Sequence, residues 1–436
     1  MKNPFCVPDK AAAWLALGAL LALLPAVQAQ SSPSSDKKVV LGTTNYRLSG
    51  PYSQGNLSVF LIHGSDARTG KSMLTLQDGL EQKKAIVHET GSVNQLNVEN
   101  ISADEEIFIQ SGDIIKGGRQ DRTIAFDLIL PPKSGKVLIT VWCVEQGRWR
   151  QRGTEDSAKF RSSTTVLATR ELKLVAKHSG GRSRDGALVL RPMSRRSGSF
   201  QGGGFQGFQG SGGFQGGGGF QGGFQGLGGF QGFQGGGFQG MQGGLGGIGG
   251  LGGIAGGLGG LGAGGFQGGV WKKVALTQAK LGKSLGKSVA AVTSESSLQL
   301  TLEETAVGKA VADYTKPLAD LLGRKPDVIG FVYAINGEVS CADVYASAAF
   351  FKKLWPKHLH GSAVEAIAEL TQAKKSPPKV EAVRAFLLEA INRSVFVNDV
   401  SPRVQVAERE SDNTLLFETR DLAHGKLVVH RCYLAK

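Results

Sequence analysis

Residues that could bind or transform a ligand lie together at the end of one predicted strand. Cys143 and Glu145 are two positions apart, and Arg148 and Trp149 follow on the turn at Gly147. Because side chains alternate along a strand, the thiol and the carboxylate share one face. A guanidinium and an indole beside them suit an anionic ligand that carries a ring. The alternative is a buried thiol, an ion pair and a core indole.

A second polar group occupies a glycine-bearing turn between two predicted strands. Its members are Asp113, Lys116, Arg119, Gln120 and Arg122. Backbone N–H groups and cations on such a turn can receive an anion, and the alternative is a solvated tight turn. The predicted ligand-binding set is this turn together with Arg148 and Trp149.

No metal site is predicted, because the seven histidines show no paired ligand spacing. No cofactor is predicted either. Cys6 lies in the leader described below, which leaves Cys143, Cys341 and Cys432. Three thiols allow at most one internal disulfide. Cys143 and Glu145 are the candidate catalytic residues if the protein is an enzyme, although no histidine stands at a spacing that suggests a partner for the thiol.

The first residues have the pattern of a signal peptide. Lys2 and Lys10 precede an apolar run, Ala11–Leu24, and small residues follow up to Ala29. The run is shorter than the ~20 residues of a membrane-spanning helix, and no later stretch is continuously apolar. We expect residues 1–29 to be removed, residues 30–43 to be a flexible segment, and the mature protein to be periplasmic or extracellular without a transmembrane segment.

Phe-Gln-Gly units that shade into Leu-Gly-Gly fill the stretch Ser197–Val270, with no charged residue between Arg196 and Lys272. Ordering so many glycines costs more than the sparse apolar side chains return. The sequence predicts a disordered insertion over residues 178–269, basic at its start. Its phenylalanines are either adhesive groups for self-association or parts of a passive spacer.

Alternating apolar residues before this insertion predict strands, and helical spacing becomes frequent after it. The first part should contain one short helix, Thr75–Lys84. Its strands should lie at Leu57–His63, Ala85–Glu89, Val93–Glu99, Glu106–Gln110, Thr123–Leu130 and Lys136–Glu145. The segment Thr164–Ala176 suits either a helix or a strand. The second part should contain helices at Val274–Leu285, Leu302–Leu322, Ser347–His358, Ser362–Ala373 and Lys379–Asn392, and strands at Asp327–Ile335, Glu338–Tyr345, Arg403–Glu408, Leu415–Arg420 and Lys426–Leu434. Asn336-Gly337 predicts a tight hairpin. Strands, then helices, then strands indicate an α+β fold.

Several stretches resemble one little-characterised family, the ARG and rhodanese-phosphatase-superfamily-associated domain. They include residues 74–80, 91–96, 111–122 and 143–149 in the first part and residues 270–271, 330–337 and 342–345 in the second. The resemblance implies one domain with a β-rich first part, 44–177, and an α+β second part, 270–436. Where family members carry Gly-Ala-Lys-Gln-Asn-Arg, this chain has Gly117-Gly118-Arg119-Gln120-Asp121-Arg122. The family's name implies association with ADP-ribosylglycohydrolase-like and phosphatase-like proteins, and so a nucleotide-derived or phosphorylated ligand.

Three classes of function follow from the net charge of +14 and the two polar groups. The favoured one is a binding module for an anionic small molecule or surface, with the tract as spacer or self-association element. The second is an enzyme that acts on a nucleotide-derived or phosphorylated substrate. The third is a binder of nucleic acid or another anionic polymer, because basic surfaces attract polyanions.

Overall fold

The computed structural model describes residues 37–41, 44–68, 70, 72–148, 159–166, 169–178, 263–323, 325–373 and 375–436. The predicted signal peptide, nearly all of the glycine-rich tract, and Trp149 lie outside these ranges. Within them, every helix is too short or too polar to traverse a lipid bilayer.

The first part of the chain is mainly β-structure. Its strands are β1 (Lys37–Leu41), β2 (Thr44–Gln54), β3 (Leu57–His63), β4 (Leu74–Thr75), β5 (Ala85–Glu89), β6 (Gln95–Asn100), β7 (Ile107–Ile109), β8 (Asp113–Gly117), β9 (Arg122–Ile124), β10 (Leu128–Leu130), β11 (Gly135–Cys143) and β12 (Phe160–Val166). Its helices are α1 (Leu76–Glu81) and α2 (Arg170–His178). The segment that suited either state therefore contains the end of a strand and most of a helix. The single strand predicted over Thr123–Leu130 is divided, since β9 and β10 belong to different sheets.

The second part mixes helices and strands, so the predicted α+β class is confirmed. Its helices are α3 (Ala263–Leu285), α4 (Leu298–Glu303), α5 (Thr305–Thr315), α6 (Ala348–Ala368) and α7 (Val380–Glu389). Its strands are β13 (Val328–Ile335), β14 (Glu338–Tyr345), β15 (Val395–Asp399), β16 (Val404–Glu410), β17 (Thr414–Asp421) and β18 (Leu427–Ala435).

The hairpin between β13 and β14 has the turn that its sequence predicts. Asn336 and Gly337 have φ of 51° and 78°, and Ile335 pairs with Glu338 across the turn. Positive φ at both central positions is what a type I′ turn requires.

Helix α6 is one continuous helix where the sequence predicts two. Ser347 caps its first turn by accepting a hydrogen bond from the backbone N–H of Phe350 at 3.4 Å. Pro356 lies inside it, although proline removes one helical hydrogen bond. Most of the helix is buried on all sides, and burial of this kind stabilises a helix more than intrinsic propensity does.

Both parts of the chain share one antiparallel sheet. Its nine described strands run in the order β1-β2-β3-β13-β14-β18-β17-β16-β15. The junction is the pairing of β3 with β13, in which Leu61 lies opposite Phe331. Strand β3 of the first part and strand β13 of the second therefore share backbone hydrogen bonds.

Helices cover the two faces of this sheet. On one face, Val383 and Leu387 of α7 pack against Leu48 and Phe60. On the other, α6 packs over β13, and Phe108 from the smaller sheets joins the same core. The smaller sheets have the orders β10-β7-β4 and β12-β8-β9-β11-β6-β5. Polar side chains from the three sheets and from α6 consequently lie together on the α6 face of the nine-stranded sheet.

Candidate functional site

The structure brings several of the predicted site residues into one buried polar group. Cys143 ends β11, and its Sγ donates to Oε1 of Gln120 at 2.9 Å. Gln120 Nε2 donates to the carbonyl of Glu145 at 3.2 Å. Arg148 Nε donates to Glu145 Oε1 at 2.7 Å. The predicted proximity of thiol, carboxylate and guanidinium is present, and they bond to one another or to groups beside them.

Arg122 lies beside this group with no exposed surface. Its Nη1 and Nη2 donate to the two carboxylate oxygens of Glu89 on β5, at 2.9 and 3.0 Å. A fork-to-fork pair of this kind is among the stronger charged contacts in proteins. Arg122 thus ties two strands of the six-stranded sheet together.

Cys143 is protonated at neutral pH, and Glu145 is ionised but already hydrogen-bonded. Burial raises the pKa of the Cys143 thiol to about 11, so the thiolate, which is the reactive form, is scarce. Burial also opposes ionisation of Glu145, but hydrogen bonds from Arg148 and Ser294 outweigh it and lower the pKa of that carboxyl. Glu145 is an ionised structural acceptor here.

The predicted turn is shorter than expected, because Asp113 and Lys116 lie on β8 and Arg122 begins β9. The remaining residues of this predicted group lie apart. Asp113 is buried and pairs with Lys357 of α6, Oδ1 to Nζ, at 3.1 Å. Lys116 pairs with Glu303 at 2.7 Å. Arg119 is exposed, and its backbone N–H donates to Glu89 at 2.9 Å. A shared ligand for these residues stays a prediction, and the ion pairs and hydrogen bonds described above account for these side chains without one.

A different cluster lies on the α6 face of the nine-stranded sheet. Alternation along β14 puts Cys341, Asp343 and Tyr345 on one face. The register with β18 places Cys432 opposite Asp343 and His430 opposite Tyr345. We call these five residues, with His358 of α6 and Lys173 of α2 above them, the β14/β18 cluster.

His430 is held between two carboxylates. Its Nδ1 lies 2.6 Å from Asp127 Oδ2 and its Nε2 lies 3.0 Å from Asp343 Oδ1. Burial disfavours the imidazolium, but the two carboxylates outweigh burial and raise the pKa of His430 to about 10. The same contacts lower the pKa of Asp127 to about 2 against its own burial penalty. At neutral pH, the group is therefore an imidazolium between two carboxylates.

His358, in contrast to His430, carries no charge at neutral pH. Burial lowers its pKa to about 4, so the ring is neutral at pH 7. Nε2 lies 2.6 Å from the hydroxyl of Tyr345 and accepts a hydrogen bond from it in the tautomer that carries the ring proton on Nδ1. Asp343 Oδ2 lies 3.5 Å from that Nδ1, which makes no hydrogen bond to the described residues. Oε1 of Gln110 makes none either, and its amide nitrogen lies 3.2 Å from His358 Nε2.

The two thiols of the cluster form a third group with Lys173. The lysine Nζ lies 3.7 Å from Cys341 Sγ and 3.4 Å from the hydroxyl of Tyr333. Burial opposes its charge, but Cys341 and Asp343 outweigh burial and raise the pKa of Lys173. A hydrogen bond from Cys341 lowers the pKa of Cys432, whereas burial raises that of Cys341. Cys432 is thus the more acidic thiol.

Cys341, Asp343 and Cys432 could together hold a metal ion, since their ligand atoms lie within 4.8 Å of one another. Thiolate and carboxylate ligands are suited to zinc. The ammonium group of Lys173, however, already lies 3.7 Å from one of these sulfurs and supplies positive charge there. A metal would have to displace it.

A small cavity adjoins the cluster beneath α2. Its volume is about 10 Å³, and its lining includes Gln110, Lys173, Lys177, His358 and His430. A space of that size holds one water molecule or one atom-sized group of a ligand.

The sequence does carry a signal for this cluster that the predictions above do not use. Cys341, Asp343 and Tyr345 recur at every second position of one predicted strand, and His430 and Cys432 do so in another. Alternation alone assigns each set to a single face. It does not show that β14 and β18 are neighbours, because 84 residues separate Tyr345 from His430 along the chain.

Comparisons with known proteins place the chain in a family without assigning an activity. The family model for the ARG and Rhodanese-Phosphatase-superfamily-associated Protein domain matches residues 45–187 and 262–434. No curated protein and no solved structure matches the chain significantly. The family match covers most of the chain on both sides of the glycine-rich tract, and the chain therefore belongs to the family of the ARG and Rhodanese-Phosphatase-superfamily-associated Protein domain.

Proposed function

We propose that the protein is an exported binding module for a small oxyanion. The acidic group of this ligand enters the cavity beneath α2. The observation that carries this proposal is the pair of buried polar atoms, His358 Nδ1 and Gln110 Oε1, that make no hydrogen bond to the described residues at the cavity wall. The nearest carboxylate oxygen to His358 Nδ1, Asp343 Oδ2, is 3.5 Å away. Buried polar groups are rarely left without a hydrogen bond. A ligand atom in the cavity would supply hydrogen bonds to both.

The charge around the cavity favours an anion. Lys173, Lys177 and His430 line it with Asp343, and Asp127 lies behind His430. At the cavity lining itself, three basic groups face one carboxylate, and Glu365 interacts with Lys173 from behind the lining. Since unpaired charge is costly in a buried site, a single negative charge on the ligand improves the balance.

His358 Nδ1 and Gln110 Oε1 together restrict the chemical groups that the ligand can carry. His358 Nδ1 carries a proton and needs an acceptor, whereas Gln110 Oε1 is an acceptor and needs a donor. Dihydrogen phosphate, or a phosphate monoester that keeps one proton, offers both kinds of group and carries a single negative charge. Only the tip of such a ligand fits a space of about 10 Å³, so the remainder would lie outside, toward the half-buried Lys177. The association with phosphatase-superfamily proteins in the family's name agrees with a phosphorylated ligand.

Thermal unfolding with inorganic phosphate, at constant ionic strength against chloride, tests this proposal on the mature chain. Phosphate at ten times its dissociation constant should stabilise the native state by about 1.4 kcal/mol. Lys177→Gln should weaken that stabilisation, because it removes a charge at the cavity opening. Lys375→Gln is the matched control, since Lys375 pairs with Glu338 on the surface at 3.0 Å.

Equal phosphate effects in the two variants, or none in the unmodified chain, would contradict the proposal. The same titration with an anionic polymer separates it from polyanion binding. Affinity for a polymer should fall steeply with salt, and Lys177→Gln and Lys375→Gln should weaken it alike.

A further inference from the structure

Ser49, His63 and Asp327 form a hydrogen-bonded chain at one end of the nine-stranded sheet. Ser49 Oγ lies 2.7 Å from His63 Nε2. His63 Nδ1 lies 3.0 Å from Asp327 Oδ1. A hydroxyl bonded to an imidazole whose second nitrogen faces a carboxylate is the arrangement that activates a serine nucleophile.

Two neighbouring strands place the serine and the histidine. His63 ends β3 and pairs with Arg47 of β2, and the register of β2 shifts immediately after Ser49. Gly50 adopts φ +119° there, and a Cβ on it would lie 2.8 Å from the carbonyl oxygen of Val59. Bulges of this kind re-aim side chains next to functional sites. The irregularity follows the serine directly.

The carboxylate comes from the other part of the chain. Asp327 directly precedes β13, and its carbonyl accepts a hydrogen bond from Gly64 N–H at 2.9 Å. Val328 pairs with His63 in the sheet. The three residues therefore meet only when the two parts of the chain share the nine-stranded sheet.

His63 Nδ1 lies 3.0 Å from Asp327 Oδ1 and 3.0 Å from Arg47 Nη2. Arg47 Nη2 also donates to the second oxygen of Asp327 at 2.9 Å. Burial opposes ionisation of Asp327, but hydrogen bonds from His63 and Arg47 outweigh it and lower its pKa. The ionised carboxylate accepts a proton carried on Nδ1, and in that tautomer Nε2 accepts the Ser49 hydroxyl proton. The reaction proposed below uses this tautomer.

Groups beside the serine could stabilise an oxyanion and admit a small substrate. The hydroxyl of Tyr52 is directed at Ser49 Oγ from 3.5 Å, and Lys325 Nζ lies 3.4 Å from that hydroxyl. Ser49 retains 6% of its surface exposed, and 46% of the Asp327 side chain is exposed. The triad thus lies just below the surface.

We propose that Ser49, His63 and Asp327 form an acyl-transfer site that hydrolyses small carboxylic esters. Ser49 Oγ attacks the ester carbon while its proton passes to His63 Nε2. The carbon–oxygen bond to the alcohol then breaks, and the leaving oxygen takes that proton, which leaves an acyl ester on Ser49. Water attacks this ester, gives one proton to His63, and releases the acid as Ser49 recovers its proton. Asp327 is a positioning residue, and the hydroxyl of Tyr52, which Lys325 contacts, lies beside the attacking oxygen. This site is independent of the cavity beneath α2.

A fluorophosphonate probe tests the site on the full mature chain, because it forms a bond only with an activated serine hydroxyl. Peptide mapping by mass spectrometry should locate one adduct, on Ser49, in the folded protein and none after heat unfolding. Asp327→Asn should slow labelling by about 100-fold, since general-base assistance contributes on that order or more. Asp327 is half-exposed, so this variant should keep the unmodified melting temperature and circular dichroism spectrum.

Ser53→Ala is the matched control. Ser53 lies on the same strand, is more exposed, and bonds to Ser58 Oγ at 2.9 Å instead of to a histidine. Its replacement should leave the labelling rate unchanged. The proposal is overturned by labelling spread over several serines, by an adduct elsewhere, by no adduct on the folded chain, or by an unchanged rate in folded Asp327→Asn.

Discussion

His430 keeps its charge in the core because two carboxylates from different parts of the chain face its two nitrogens. Asp127 lies 2.6 Å away on one side and Asp343 lies 3.0 Å away on the other. Neither carboxylate is more than 3% exposed. An uncompensated charge would be far more costly at this depth than the paired one. The neighbouring His358 has no such pair of carboxylates and stays neutral.

Raising the pH should weaken the fold through His430. Its folded-state pKa of about 10 lies above the ordinary value of 6.5. The stabilisation is therefore complete below about pH 6.5 and disappears as the pH rises through about 10. Urea unfolding at pH 7 and pH 10 should show a smaller free energy of unfolding at the higher pH. His430→Gln should lack that part of the decrease, and an unchanged pH dependence in this variant would contradict the assignment.

Removing the Asp127 carboxylate from its contact with His430 should lower the free energy of unfolding at neutral pH. Asp127→Asn leaves the imidazolium with Asp343 as its remaining carboxylate in contact. Removal of one partner of a buried ion pair costs about 3–5 kcal/mol, which chemical unfolding at pH 7 would measure. Asp399→Asn on β15 is a control of the same chemistry, because Asp399 is exposed. A loss no larger than that of the control would show that the buried charge is not stabilised as described.

Tight turns between strands set which residues face each other in the large sheet. The turn at Gly337 joins β13 to β14 and fixes the register between these two strands. Gly425 occupies the turn before β18 with a similar backbone, and φ is 78° at Gly337 and 62° at Gly425. Their surroundings differ. A Cβ on Gly337 would lie 2.6 Å from the carbonyl of Ser376, whereas one on Gly425 would meet nothing within 4 Å.

Alanine substitution at these two glycines should therefore have unequal effects. Both variants carry the strain of a left-handed backbone, about 1–2 kcal/mol. Gly337→Ala should lose about 1–3 kcal/mol more, because the backbone near Ser376 must move. Thermal or urea unfolding of the pair measures the difference directly. Equal losses would indicate that the contact at Gly337 is relieved without cost.

At the scale of the molecule, the two parts of the chain complete one another. Strand β3 lies between β2 and β13, and β13 lies between β3 and β14. Leu57, Leu61, Phe331 and Trp355 belong to a single core cluster. Neither part can bury those side chains or satisfy those strand edges alone.

Residues 37–178 and 263–436, produced as two separate chains in one cell, should form a stable complex. Each chain alone should be unfolded or aggregated, because the pairing of β3 with β13 is lost. Co-purification followed by circular dichroism and thermal unfolding checks both statements. Two fragments that fold independently and do not associate would show that the shared core is not needed.

Local chemistry made part of this architecture predictable. The Asn336-Gly337 hairpin and most strands of the second part follow from patterns of a few residues, and Cys143, Gln120, Glu145 and Arg148 do lie close together. Strands β1, β2, β4, β8 and β15 were not predicted. Gly50 and Pro51 interrupt β2 in the manner of a turn, and Val395 and Val397 of β15 are partly exposed on an edge strand. Such segments become strands only because a neighbour pairs with them.

By itself, the sequence determined the α+β class, the family and the position of the glycine-rich tract, because composition and short-range alternation are properties of consecutive residues. Only the tertiary structure decided that Asp127, Asp343 and His430 meet in one buried group, and that Asp327 joins Ser49 and His63. These contacts span more than 80 residues. Strand order sets them, and strand order depends on which hydrophobic faces cover one another in the folded chain.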